Sequence, residues 1–302
     1  PATLKMARRD DATRVKELYQ IADNACFQII NHGSNSLVQA HEDMSGFQYL
    51  WYNHCQRNFA ATNTEILWET AQYGDVTNSQ FTTYAQPGSR GGKYGSLKAM
   101  QFMLPTYYLS FNPKDTRRDV SCTSYSIYFL EKGSANDTWV DVGTTYSCIM
   151  PGKFRLSWCV APQSNTQRNL DIPIFRYADV LLMYAETQKL FKTTVLLRLP
   201  KTHYKKYVTV QVSVKSLQSL MNRRLLMIAI VQERKWEFAT EFTLRTDLIR
   251  MNRLAKELAK TKQAMKDLSD RKNEYANIPT YRLYKFHIDA QEYGDKFLLL
   301  IT

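Results

Sequence analysis

A chain of 302 residues with 44% hydrophobic and 23% charged side chains can fill one large or two ordinary domains, and it is too apolar to stay disordered. Its longest uninterrupted apolar run, Leu225 to Val231, is seven residues, far short of the roughly 20 that a bilayer-crossing helix needs. The net charge of +12 invites a polyanion partner, yet nine basic residues and no acidic one fall between Thr187 and Gln232, so the rest of the chain is nearly balanced and a nucleic-acid reading rests on one segment.

In chain order, the opening Pro1-Ala2-Thr3-Leu4-Lys5-Met6 shows neither an apolar signal core nor an initiator methionine, which reads as a processed or truncated start. Apolar residues at spacings of three and four (Val15, Leu18, Tyr19, Ala22, Cys26, Ile29, Ile30) predict a helix over Thr13 to Asn31, begun by Asp10-Asp11 and ended by Asn31-His32-Gly33. A shorter helix is predicted from Phe47 to Phe59, then a strand at Ile66-Leu67-Trp68-Glu69. Residues 73–95 carry five glycines among Tyr, Asn, Gln and Ser and read as a long loop, too long for a passive connector. Alternation around Tyr125, Tyr128, Trp139 and Val142 predicts short strands about the Gly133-Ser134 turn. No glycine occurs between Gly152 and Gly294, as long helices would require.

Most catalytic chemistry is absent from the pattern. Five cysteines, with no C-x-x-C and an odd total, fit neither a zinc centre nor a closed disulfide framework and read as small buried hydrophobes. The scattered histidines predict no metal site, and no cofactor is expected. Gly88-Ser89-Arg90-Gly91-Gly92-Lys93-Tyr94 has the wrong spacing for a phosphate loop and places Tyr94 where the magnesium-binding hydroxyl belongs. Glu237 and Glu241, four apart on a predicted helix, are spaced for the ~5 Å separation of a retaining glycosidase pair. Arg234 lies three residues before the first and Arg245 four after the second, so both carboxylates read as structural ion pairs held ionised by neighbouring cations, where a general acid needs the opposite.

Three stretches together resemble the SusD/RagB family of outer-membrane nutrient-binding lipoproteins of Bacteroidota. The first runs from Leu104-Pro105-Thr106-Tyr107-Tyr108 to Asp115-Thr116-Arg117-Arg118-Asp119 and is similar to the family segment ending in D-x-R. The second, Asp171-Ile172-Pro173-Ile174-Phe175-Arg176-Tyr177-Ala178-Asp179-Val180-Leu181-Leu182-Met183-Tyr184-Ala185-Glu186, resembles the family's most recognisable helix; Tyr177, Leu181 and Tyr184 make its apolar stripe, and Arg176 is spaced to reach Asp179. The third, Glu233-Arg234-Lys235-Trp236-Glu237-Phe238 with Glu241, Arg245 and Asp247-Leu248-Ile249-Arg250, is similar to the family's E-R-x-x-E-F and D-L-x-R signature. Pro279 to Tyr284 resembles a further family segment, so the resemblance covers about residues 5–290 with one gap.

The gap is the basic segment. Where the family carries an N-x-G-P-T turn and a second helix ending in V-R-x-R-A, this chain has neither. Lys192 to Gln211 can be encoded by codons that, read from the third base of the Lys192 codon, restore that motif. Residues 189–225 are therefore expected to be an out-of-frame translation, with the frame regained before Ile228, and their charge would carry no selected affinity for polyanions. Pro200 and the β-branched run Val208 to Val214 oppose the helix the family places there.

The resemblance implies a single SusD/RagB-like domain over residues 1–302, mainly α, with tetratricopeptide-like helix pairs (a SusD-like α-α superhelix), irregular loops and a minor β element. It implies a chain truncated at its N-terminus, with the lipid anchor on the missing part. It further implies non-catalytic capture of an oligosaccharide or peptide at the extracellular face of the outer membrane, for delivery to a SusC-like TonB-dependent transporter. Sugars present apolar faces and many hydroxyls, so Tyr73, Asn78, Gln80, Tyr84, Arg90 and Tyr94, with Trp139, supply the side-chain types of such a site. Arg176, Asp179, Glu233, Arg234, Glu237, Glu241 and Arg245 are assigned to structural ion pairs. A glycan-processing enzyme using a carboxylate pair and a basic polyanion-binding module are the alternatives.

Overall fold

The computed structural model describes residues 11–71, 102–123, 125–129, 139–143, 149–155, 158–159, 170–191, 196–197, 210–211 and 219–278. In chain order these form α1 (Ala12–His32), α2 (Gly46–Cys55), α3 (Phe59–Thr62), β1 (Ile66–Thr70), α4 (Pro105–Leu109), α5 (Arg117–Ser121), β2 (Cys122–Thr123), β3 (Tyr125–Phe129), β4 (Trp139–Gly143), β5 (Met150–Pro151), β6 (Ile172–Arg176), α6 (Tyr177–Phe191), β7 (Leu196–Leu197), β8 (Val210–Gln211), α7 (Ser219–Glu237), α8 (Leu244–Arg250) and α9 (Leu254–Asp270). The protein is mostly helical, and its described strands pair two by two: β1 with β6, β2 with β5, β3 with β4 and β7 with β8.

The described residues fall into two compact units. The first takes those of 11–50, 59–70 and 172–263, and the second those of 51–58, 71–171 and 264–278.

In the first unit, α1 forms where its apolar periodicity predicts. The Asp11 carboxylate accepts from the Arg14 amide at 2.9 Å, and Gly33 ends the helix in the left-handed region (φ 75°), which costs glycine nothing. The apolar face of α1 packs on α6, with Cys26 against Tyr177, Ala178, Val180 and Leu182, joined by Leu37 and Phe238. Another face of α6 buries Ala185 against Leu226 and Ile230 of α7, and α7 in turn buries Met227 and Val231 against Leu248 of α8. One helix thus presents apolar side chains to two neighbours, as stacked helix pairs require.

The segment Asp171 to Glu186 departs from the helix read in the sequence. Its first part, Ile172-Pro173-Ile174-Phe175-Arg176, is an antiparallel strand against β1, with Ile66 opposite Arg176 and Thr70 opposite Ile172. Branched and aromatic residues around a proline suit an edge strand better than a helix interior. The helix predicted from Phe47 to Phe59 stops at Cys55, and Arg57 then takes a left-handed backbone (φ 57°) before the single turn of α3.

In the second unit, β3 and β4 pair with Tyr125 opposite Gly143 and Phe129 opposite Trp139; Gly133 and Ser134 lie outside the described residues. Trp51 is fully buried edge-on to Phe154 at 5.3 Å between ring centroids. Arg155 is buried against backbone carbonyls: Nε donates to the Gly152 carbonyl at 2.9 Å, Nη2 to the carbonyls of Asp119 at 2.6 Å and Val120 at 3.1 Å, and its guanidinium lies 4.0 Å from the Trp158 ring centroid. Gly152 makes this approach possible, since a Cβ there would stand 2.4 Å from the Val120 oxygen and 3.0 Å from the Cys122 carbonyl carbon. Of residues 189–225, the structure describes the end of α6, the β7–β8 pair and the first turns of α7.

Candidate functional site

The charges of the second and third sequence motifs converge in the first unit on two buried guanidinium groups. Arg176, at the end of β6, donates from Nη1 to Glu65 at 2.6 Å and Glu237 at 3.0 Å, and from Nε and Nη2 to Glu241 at 2.7 and 2.8 Å. The bidentate contact with Glu241 matches the planar fork of the guanidinium to the carboxylate. Glu65 lies just before β1 and also accepts from the Val38 amide at 2.8 Å. Its backbone carbonyl takes the Tyr177 amide at 2.7 Å, so this residue ties the start of β1 to the start of α6.

Arg234, on α7, donates to Asp179 at 2.5 Å and to Asp247 at 2.7 Å. Arg250 continues the chain of contacts, binding Asp247 at 2.7 Å and Glu186 at 2.9 Å, and Glu186 accepts from the Tyr19 hydroxyl at 3.0 Å. The two centres share the ring of Phe238, whose centroid lies 5.0 Å from each guanidinium carbon of Arg176 and Arg234.

Burial sets the electrostatics. It opposes the charge on Arg176, but the carboxylates of Glu241, Glu237 and Glu65 outweigh it and hold the guanidinium well above its ordinary pKa. Glu65 is the carboxylate that yields: burial pushes its pKa up to about 7 against the pull of Arg176, with Glu237 adding to the rise. Three carboxylates around one cation leave excess negative charge in a dry interior, and taking up a proton relieves it. Burial likewise raises Asp179 despite Arg234.

These positions revise the sequence pairing. Glu237 and Glu241 do share a cation, but it is Arg176 rather than Arg234 and Arg245. Asp179 is bound by Arg234 rather than by Arg176. Helical spacing fails because α7 ends at Glu237 and left-handed turns at Thr240 (φ 67°) and Phe242 (φ 64°) swing Glu241 back to β6. Arg245 is exposed on α8 with no ion pair to another described residue, and Glu233 is half-buried on α7. Glu65 escaped the sequence reading, although a carboxylate directly before the apolar run Ile66-Leu67-Trp68 was its signal.

Tyr73, Asn78, Gln80, Tyr84, Arg90 and Tyr94 lie outside the described residues, as does the Gly88 to Tyr94 stretch. Trp139 opens β4, and its side chain is outside them too. Among the described residues, Trp68 of β1 is the large aromatic most open to solvent, 64% exposed, and it lies opposite Phe175 of β6. No helix among the described residues is long and apolar enough to cross a membrane.

A core of stacked helix pairs, closed by buried arginine and carboxylate centres, defines the class as a SusD-like fold. Residues 56–192 match the SusD family model, SusD_RagB, in agreement with the motif resemblance read from the sequence. A SusD homolog from Bacteroides thetaiotaomicron superposes with a TM-score of 0.61 at 21% identity, over 81% of this chain and 50% of that one. Surface glycan-binding protein A from Bacteroides uniformis superposes at 0.51 with 19% identity, over 80% and 46%. The corresponding protein from Bacteroides thetaiotaomicron, in complex with laminarihexaose, does so at 0.50 with 15% identity, over 81% and 52%. The chain therefore spans about half the length of these solved structures, and likeness at such identities establishes the fold. No curated protein matches the sequence.

Proposed function

We propose that the chain captures an oligosaccharide, or another oligomeric nutrient such as a peptide, at the extracellular face of the outer membrane and passes it uncleaved to a SusC-like TonB-dependent transporter. The observation that carries this reading is the commitment of the motif carboxylates to the scaffold: Glu237 and Glu241 are locked on a guanidinium that is 1% exposed. A general acid must reach its substrate, and a carboxylate sealed in the interior against arginine cannot. The SusD family match over 56–192 and the fold shared with surface glycan-binding proteins support the same reading.

Tyr73, Asn78, Gln80, Tyr84, Arg90, Tyr94 and Trp139 are proposed to meet the ligand, flat rings under sugar C–H faces and amide or guanidinium groups on the hydroxyls. Binding of the chain to an array of neutral oligosaccharides and peptides tests this. Binding is expected without hydrolysis, weakened by Tyr84→Ala and Trp139→Ala, and nearly independent of salt. Affinity that falls by orders of magnitude between about 50 and 200 mM salt would mark a polyanion binder, and released reducing sugar would mark an enzyme. Either result overturns the proposal.

A further inference from the structure

In the first unit, α8 and the first turns of α9 sort their charges by side. Between Leu244 and Gln263 the chain has six basic residues and two acidic ones. Both acids are buried. Asp247 is held by Arg234 and Arg250, and Glu257 meets Lys235 at 2.6 Å, Lys260 at 3.2 Å and Arg253 at 3.7 Å. Arg245, Lys256, Lys260 and Lys262 are exposed, so no carboxylate of this stretch stands in solvent beside them. Among the described residues, Arg245, Lys256 and Lys262 form no ion pair.

A solvated helix face ordinarily mixes its signs, as α1 does where Arg14 pairs with exposed Glu17 one turn on. On α9, Lys256 instead faces Lys260 at a spacing of four, a like-charge pair that works against the helix. The one carboxylate within reach, Glu257, already binds three cations. At 100° per residue, Lys256 and Lys260 line one flank of the outer side of α9 and Lys262 the other. Ala255 and Ala259 lie between the flanks, and Leu258, 51% exposed, stands next to Lys262.

We infer that this face of α8 and α9 is a docking surface for an anionic lipid layer, whose headgroup phosphates supply the negative charge that the stretch turns inward. Three of the four exposed cations are lysines. They are point charges on flexible stems and need no fixed geometry, which suits a fluid array of phosphates, whereas an acidic protein face is matched best by the rigid fork of arginine. The short side chains of Ala255 and Ala259 let α9 lie close to a plane, with lysine stems spreading to both sides and Leu258 reaching the headgroup boundary. Leu254 packs inward against the cluster of Met227, Val231 and Leu248, so the helix rests on the layer without entering it. The choice of a membrane as partner rests on the outer-membrane location proposed above; the separation of charge does not.

The test is sedimentation of the full chain with vesicles of phosphatidylcholine alone or with about 30% phosphatidylglycerol. At about 50 mM salt the chain is expected to sediment with the anionic vesicles and not with the neutral ones, and to be largely released by about 200 mM. Lys256→Gln, Lys262→Gln and Arg245→Gln should each weaken partitioning about fivefold at an unchanged urea midpoint, while Lys256→Arg should preserve it. Changing Lys201, Lys205 and Lys206 together to Gln is expected to leave the effect of Lys256→Gln intact, and inorganic phosphate at equal ionic strength is expected not to displace the chain. Equal sedimentation with both vesicle types, indifference to Lys256→Gln and Lys262→Gln, or release by inorganic phosphate would overturn the proposal. So would binding to polyglutamate, lost in the same variants, by a chain that ignores vesicles, since that assigns the face to an acidic protein. Neutral-oligosaccharide binding measured on the same variants separates the two readings: it should be unchanged, and its absence in the parent would sink the capture reading while leaving the vesicle result to stand or fall alone.

Discussion

The two units fasten their buried cations over different distances along the chain. In the first, Arg176 and Arg234 are met by carboxylates from distant segments, with Glu65 lying 111 positions from Arg176 and Asp179 lying 55 from Arg234. In the second, Arg155 faces three backbone carbonyls and an indole, and Lys153 sits with its ammonium 4.7 Å from the Trp51 ring centroid. Arg117 there takes its carboxylate from Asp115, two residues away. Charge against charge cross-links remote elements but leaves uncompensated ions when one member is lost. Charge against dipoles and rings costs less to break and ties down mainly what is already adjacent.

Arg176→Met breaks this contrast most severely. It removes the guanidinium that Glu65, Glu237 and Glu241 share in the core, with an expected loss of about 4 kcal/mol or more by urea denaturation. Arg155→Met removes bonds to neutral carbonyls and is expected to cost about 2 kcal/mol. Equal losses for the two would show that burial alone, and not the type of partner, governs both sites.

What the sequence disclosed follows the same division. α1 was legible end to end because its determinants are local: an aspartate cap, a 3.6-residue apolar period and a left-handed glycine. The β1 strand was legible from Ile66-Leu67-Trp68-Glu69, but its partner β6 was hidden inside a helical motif. Pro173 between two isoleucines was the local warning. The charged residues of the motifs could be recognised as scaffold, whereas their partners could not. Arg176 pairs across 61, 65 and 111 positions, and the turn carrying Glu241 depends on left-handed Thr240 and Phe242, non-glycine residues that announce no such backbone. The residues proposed for ligand contact are legible by side-chain chemistry alone, since no periodic pattern marks them.

Titration sharpens the comparison next. Glu65 has a pKa of about 7 in the fold against an ordinary 4.5. Between those values the folded chain holds a proton that the unfolded chain has released. Its contribution is therefore fully present below the unfolded value and is lost as pH rises through the folded one, about 3 kcal/mol in all. Glu65→Gln cannot titrate, so its stability relative to the parent should rise by that amount between pH 4 and 8, measured as paired urea midpoints. Glu257 runs the other way: burial opposes its charge, but hydrogen bonds from Lys235 and Lys260 lower its pKa. Its share is present above the unfolded value and is lost as pH falls through the folded one. A Glu65→Gln difference that stays flat with pH would mean that Arg176 keeps Glu65 ionised throughout.

Gly152→Ala probes the second unit without removing a charge. The added Cβ would meet the Val120 oxygen at 2.4 Å, the Arg155 Nη2 at 2.8 Å and the Cys122 carbonyl carbon at 3.0 Å. Two of these are backbone atoms, which cannot swing aside as a flexible side chain would, so β2 and β5 must part. An expected loss of about 2 kcal/mol is an overpacking cost, and it should be largely absent when Gly152→Ala is made in an Arg155→Met background if the guanidinium is what pins the strands together. Full additivity of the two changes would assign the cost to the backbone contacts alone.

The smallest effect is expected at the exposed start of α1, where one hydrogen bond acts alone. Asp11 caps the helix by accepting the Arg14 amide, and Arg14 also pairs with Glu17 at 2.9 Å on the solvent side. Asp11→Ala leaves the amide to water and should cost about 1 kcal/mol, while Asp11→Ser, which keeps an acceptor at the same position, should cost a few tenths. Neither change alters the contacts of Cys26 with α6, so hydrogen exchange should quicken in the first turn of α1 and leave amides near Cys26 as protected as before. Loss of protection at Cys26 in Asp11→Ala would mean that α1 docks as one rigid body with its cap, and that the contrast between local and remote fastening fails within the first unit itself.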